Sequence, residues 1–267
     1  MKKRLVMRWM GGSGGDTLCY LLSADNEGVY TNTSHHGMAK NGKTLTWSKF
    51  DAEFPTLYKF SQNKHEINDV DNFERDIVNL SKKRIPFVVK HHFYNKEMDN
   101  RIKQYADLID IGINYTMLPF VVRANLEKTS TLENLYSNDF THLDTNLKKI
   151  MPKLDNDQRK KVVVWNLIKD IMNTINEFDL SKAPVQLENF FNNTYQLKSF
   201  FQSKGFHLNF DNDYFKLWLE KNKLLLPDDK YKRYIKDRNY QYSDTDIGII
   251  ERYVLLALAN EKFQFLD

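Results

Sequence analysis

The chain has 267 residues, 41% of them hydrophobic and 28% charged, with a formal net charge of +4. That is enough apolar material for one large domain, or for a core with a helical addition, and the mild positive charge permits an anionic partner without requiring one. Cys19 is the only cysteine, which excludes an internal disulfide and points to a reducing compartment.

No apolar run approaches the about 20 residues needed to cross a bilayer, so no membrane partner is expected. The N-terminal apolar stretch is short and runs into glycines, unlike a signal peptide. The expected location is the cytoplasm. Asn, Asp, Lys, Phe and Tyr are abundant, as in AT-rich coding sequences of the kind many phages carry, which suggests a bacterial or phage-infected host cell.

In chain order, residues 5–10 predict a first strand and 16–23 the start of a first helix. Residues 26–67 are polar and irregular, a length of loop often tied to function. Asn68 and Asp69 can cap a helix to about Lys83, with Phe73, Ile77 and Leu80 on one face. The continuous apolar run Pro86-Phe87-Val88-Val89 predicts a buried parallel strand. A helix over 97–107, a strand over 108–113 and a helix containing Pro119 follow. Beyond these, helices are expected over 155–178, 185–204 (closed by Gly205), 211–224 and 244–262. The fold class is therefore α/β. Residues 1–150 are expected to form a three-layer core with a parallel sheet, and residues 151–267 a mainly helical region packed on it, as one continuous domain or two.

Two places carry candidate chemistry. The first is Gly11-Gly12-Ser13-Gly14-Gly15-Asp16-Thr17, between the first strand and the first helix. Glycines admit an anion close to the backbone, and a helix start points N–H groups at it. Gly12, Ser13, Gly14, Gly15, Asp16 and Thr17 are thus candidate phosphate- or sulfate-binding residues. The P-loop pattern G-x-x-x-x-G-K-[ST] is matched imperfectly: Asp16 stands where the lysine would be, and Met10 where the first glycine would be. An acid there repels phosphate, so a cation from elsewhere is required if the turn holds a nucleotide. Asp16 and Thr17 also suit simple helix capping.

The second place is the end of the next apolar strand, Lys90-His91-His92. The carboxyl ends of strands in an open parallel sheet face the ligand crevice. There Lys90 can neutralise an anion, and His92 can act as general base toward a hydroxyl. Strand neighbours alternate, so His91 is expected to pack on the opposite face. The pairs His35-His36 and His91-His92 lack metal-ligand spacing, and no metal site is expected. Lys-Arg clusters such as Lys230 to Arg238 suit a solvated face. The last, interleaved with Tyr231, Tyr234 and Tyr240, also suits nucleic acid.

A strand, a glycine/serine turn with Thr, an apolar helix and a later apolar strand ending in Lys-x-His together resemble the P-loop sulfotransferases. The resemblance covers about the first half of the chain. It implies a transferase using 3′-phosphoadenosine 5′-phosphosulfate, with Ser13 to Thr17 as the donor loop, Lys90 beside the transferring group and His92 taking the proton from an acceptor hydroxyl. Two departures stand out. The loop lysine of that family has no counterpart, and Arg123, in the helix after residues 108–113, is the available substitute for the arginine that grips the 3′-phosphate. Ser13-Gly14-Gly15-Asp16-Thr17 is also similar to the Gly-Lys-Asp-Thr loops of some phage nucleotide kinases, with the lysine lost. That alternative implies ATP with magnesium, Asp110 and Thr17 on the metal side, and Arg8 or Lys90 supplying the charge, toward a nucleotide or a hydroxymethylated base in DNA. A third alternative is a binding protein that kept the fold and lost catalysis.

Overall fold

The computed structural model describes residues 3–26, 28–31, 70–91, 94–126, 149, 151–229, 231–232 and 248–266. His35, His36, Asn68, Asp69, His92, Lys230, Tyr234 and Tyr240 lie outside the described residues. Contacts divide the chain into two units. One comprises Met1–Met10, Gly14–Gly112 and Lys182–Lys221; the other comprises Gly11–Ser13, Ile113–Ser181 and Asn222–Asp267. The units interleave along the chain, so no cut near residue 150 separates them: residues 182–221 belong with the sheet.

The first unit is built on a parallel sheet in the order β2-β3-β1-β4-β5. The strands are β1 (Arg4–Arg8), β2 (Tyr30–Thr31), β3 (Phe87–His91), β4 (Asp107–Gly112) and β5 (Val185–Gln186). β1 is central, which explains its continuous apolar sequence: Leu5, Val6 and Met7 are all buried because helices cover both faces. Helix α1 (Gly15–Ala24) follows β1 and buries Leu18, Cys19, Leu21 and Leu22. Helix α2 (Val70–Lys82) has the predicted stripe: Phe73, Ile77 and Leu80 pack with Val6, Phe87 and Val89 of the sheet. Met98 and Ile102 of α3 (Lys96–Ile102) complete that layer. Asn95 starts α3 by accepting from the Met98 N–H at 3.0 Å. The helix stops at Ile102, earlier than its sequence suggests, because Asp107 already belongs to β4.

The second unit is helical. A 3-10 turn over Tyr115–Met117 leads into α4 (Leu118–Leu126), which packs with α5 (Asn156–Glu177) and with a C-terminal helix, Ile249–Leu258. Asp155 and Gln158 form a reciprocal capping box at the start of α5, with contacts of 2.8 and 3.2 Å.

The predicted helix over 185–204 is replaced by three elements. Val185–Gln186 adds to the sheet by pairing with Ile111–Gly112 as β5. The chain then forms a single turn, α6 (Asn189–Asn192), and restarts as α7 (Thr194–Ser203). Asn193 causes the break: its side chain accepts from the Gln196 N–H at 3.1 Å and caps a new helix. The end of α7 matches expectation. Gly205 takes φ 83°, and the Phe206 N–H reaches the Phe201 carbonyl at 2.9 Å. Helix α8 (Asp213–Lys223) and α9, the helix at Ile249–Leu258, fall within the last two predicted spans.

Because Gly205 sits in the left-handed region, Gly205→Ala is expected to lower unfolding stability by about 1 kcal/mol in urea denaturation, with no change of fold by circular dichroism.

Candidate functional site

The carboxyl end of β1 is where chain connections diverge, to β2 and β3 on one side and to β4 and β5 on the other. In an open parallel sheet this is the ligand crevice. Its floor is ionic. Arg8, the last residue of β1, is only 2% exposed and lies in register with Asp110 of β4 and His91 of β3. Its guanidinium grips both neighbouring carboxylates. One Nη meets the two Asp99 oxygens at 2.7 Å each, while Nε and the other Nη meet the Asp110 oxygens at 2.6 and 3.0 Å. The Tyr94 ring lies 4.4 Å from the guanidinium carbon. Burial pushes Asp99 above the usual carboxylate range, and Asp110 adds to the shift against the downward pull of Arg8. Burial likewise raises the Tyr94 phenol.

This geometry removes two expected roles. Arg8 is fully engaged by carboxylates and does not supply charge to the glycine turn. Asp110 has both oxygens on Arg8, so it does not stand free as a magnesium ligand.

The glycine turn itself divides. Gly11–Ser13 belong with the helical unit, where Asn125 of α4 donates to the Gly11 carbonyl at 2.6 Å. A Cβ on Gly12 would lie 2.8 Å from the Ala124 Cβ, and Ser13 is buried. Gly14–Thr17 belong with the sheet. Gly14 is the N-cap of α1 at φ 75°, accepting from the Leu18 N–H at 3.1 Å and bringing no side chain to the first-turn amides. A Cβ there would sit 2.9 Å from the Trp218 ring, and one on Gly15 would overlap the Trp9 indole. The glycines are therefore required by close aromatic packing. Trp218 belongs to a cluster with Phe190, Phe191 and Phe215. From the same helix, Tyr214 hydrogen-bonds the Thr17 side chain and packs edge-on against Tyr20 at 4.8 Å. Burial still raises the Tyr214 phenol.

Lys90 reaches this turn. Its side chain leaves β3 on the face that α1 covers, is almost fully buried, and places Nζ 3.2 Å from the Asp16 Oδ1 in the first turn of α1. Asp16 is half-exposed, so one side of the pair faces water. His91 points to the opposite face, as strand alternation predicts, and meets the Phe73 ring at 4.7 Å. His92 lies outside the described residues. Arg123 is engaged by other partners: in the helical unit it is bound to Glu251 and to the Leu225 and Leu226 carbonyls at 3.3 Å.

Thus Gly14, Gly15, Asp16, Thr17 and Lys90 come together, and Arg123 is held by other partners. Tyr214 and Trp218 were not legible as neighbours of the turn, because no local pattern links them to residues 200 positions earlier. The chain matches no protein-family model, no curated protein and no solved structure.

Arg8 is the cation shared by buried Asp99 and partly buried Asp110, so Arg8→Met is expected to cost about 3–5 kcal/mol in chemical denaturation. Adding Asp99→Asn and Asp110→Asn is expected to restore part of that loss, since the uncompensated charges are then gone.

Proposed function

We propose that this protein is a transferase that moves a sulfuryl group from 3′-phosphoadenosine 5′-phosphosulfate to an acceptor hydroxyl, with the donor's phosphosulfate at the turn between β1 and α1. One observation carries the proposal: the buried ammonium of Lys90 sits at the first turn of α1, next to a glycine N-cap, at the carboxyl end of the central parallel strand. A cation delivered from β3 answers the absence of a lysine in the loop. Asp16 holds that lysine in place and partly cancels its charge until an anion arrives.

The residues present suit such a donor in two respects. The first-turn amides of α1 and the helix dipole favour an anion, and Gly14 leaves them uncapped by its own side chain. The donor, when bound, supplies an activated sulfuryl group on a nucleotide phosphate. The amides of Gly15, Asp16 and Thr17 hold phosphate oxygens. Lys90 stabilises the negative charge that builds on the bridging oxygen as the sulfur–oxygen bond breaks. His92, two residues on, accepts the proton of the attacking hydroxyl. Arg123 has no part in this assignment. Sulfuryl transfer is favoured over magnesium-dependent phosphoryl transfer because Asp110 already has both oxygens on Arg8.

A second reading, a non-catalytic protein on the same fold, is favoured by the aromatic packing. Trp9 and Trp218 account for Gly15 and Gly14, and Tyr214 engages the Thr17 hydroxyl.

Titration calorimetry with 3′-phosphoadenosine 5′-phosphate separates these readings. Binding is expected for the native chain, with Lys90→Ala weakening it by about tenfold or more. His92→Ala is expected to leave that affinity within about twofold and to abolish sulfuryl transfer. Stabilisation by ATP with magnesium alone would favour the kinase alternative, and no binding of any nucleotide would favour the non-catalytic one.

A further inference from the structure

The helical unit contains a cavity of about 400 Å³, within the range of small-molecule pockets and lined entirely by residues of that unit. Its walls come from α4, α5 and the start of α9. Leu126, Val164, Leu225, Ile249, Ile250 and Tyr253 give it an apolar interior. Its remaining lining is charged: Arg123, Asp157, Lys160 and Lys161.

The charges do not cancel. Arg123 is bound by the buried carboxylate of Glu251, and Lys161 by Asp157 at 3.1 Å, one helical turn away. Each of these pairs is neutral as a unit. Lys160 remains, an exposed lysine with no ion pair among the described residues. It stands in the second turn of α5, near the positive end of that helix. An apolar chamber with one uncompensated cation at its edge complements a molecule with an apolar body and a single negative head. A cationic head would meet Lys160 unfavourably, and a purely polar anion would leave the interior unfilled.

We propose that this cavity binds an amphipathic monoanion, a carboxylate on an aliphatic body, with its tail between α4, α5 and α9 and its head against Lys160. The site shares no lining residue with the glycine turn and does not depend on sulfuryl transfer.

Isothermal titration of the full chain with dodecanoate, below its micelle concentration, tests this. One binding site is expected. Dodecyltrimethylammonium, which keeps the tail and reverses the head, is expected to bind at least about tenfold more weakly. Lys160→Gln, at an exposed position that leaves folding intact, is expected to weaken dodecanoate about fivefold while leaving decanol binding unchanged. Ile250→Trp, which fills the chamber from a half-buried position, is expected to abolish both, with circular dichroism confirming the fold. Absence of dodecanoate binding overturns the proposal. So do equal affinity for the two amphiphiles, indifference to Lys160→Gln, or several sites that survive Ile250→Trp.

Discussion

Arg8 organises the carboxyl end of the sheet. A guanidinium is among the few groups that can satisfy two carboxylates at once in fixed planar geometry, and here it joins the end of β1 to Asp110 on β4 and Asp99 on α3. Burial is the main reason Asp99 holds its proton more tightly than an ordinary carboxylate; Arg8 pulls the other way, and the Asp110 charge adds to the effect of burial. Removing Arg8 leaves two acids without their cation, so this one side chain fixes the relative position of three elements. It also decides what the crevice can contain, because the acid best placed on β4 for a metal is already bound.

Above that floor, the glycine turn answers two demands. Its backbone conformation requires glycine at Gly14, where φ is 75°, and two indoles press against the turn where side chains would otherwise project. Those constraints alone explain Gly14 and Gly15. They do not explain Lys90, a lysine carried into the interior to meet an acid in the first turn of α1. Burying an ammonium is costly, and a leucine at that position would fill the same space at lower cost. What the lysine gains in the fold is its pairing with Asp16, which ties β3 to the first turn of α1.

The helical unit follows the same economy of charge by different means. Arg123, which its sequence position offered to a nucleotide phosphate, is held by Glu251 and two carbonyls. It joins α4 to α9 and to the chain at Leu225 and Leu226. With Lys161 also paired, Lys160 is the lining cation without an ion pair among the described residues, at the edge of an apolar chamber.

The amino-acid sequence by itself determined the elements whose burial pattern is local. Leu5 to Met7 and Phe87 to Val89 read as buried parallel strands because both faces of a central strand are apolar. Phe73, Ile77 and Leu80 read as a helical stripe, and residues 155–178 as a helix by their spacing. His91 was legible as a core residue from strand alternation alone. Elsewhere local signals misled. Residues 185–204 have helical spacing, yet Val185 joins the free edge of β4 and Asn193 restarts the helix, since an unpaired strand edge outweighs weak helix propensity. Only the tertiary structure decided the partners of the charged and aromatic groups: Arg8 with Asp99 and Asp110, Lys90 with Asp16, Arg123 with Glu251, Trp218 against Gly14. Hydrophobic periodicity repeats within a few residues and is written along the chain. A charge takes its partner from whatever the fold brings within about 4 Å, and that information does not lie in sequence spacing.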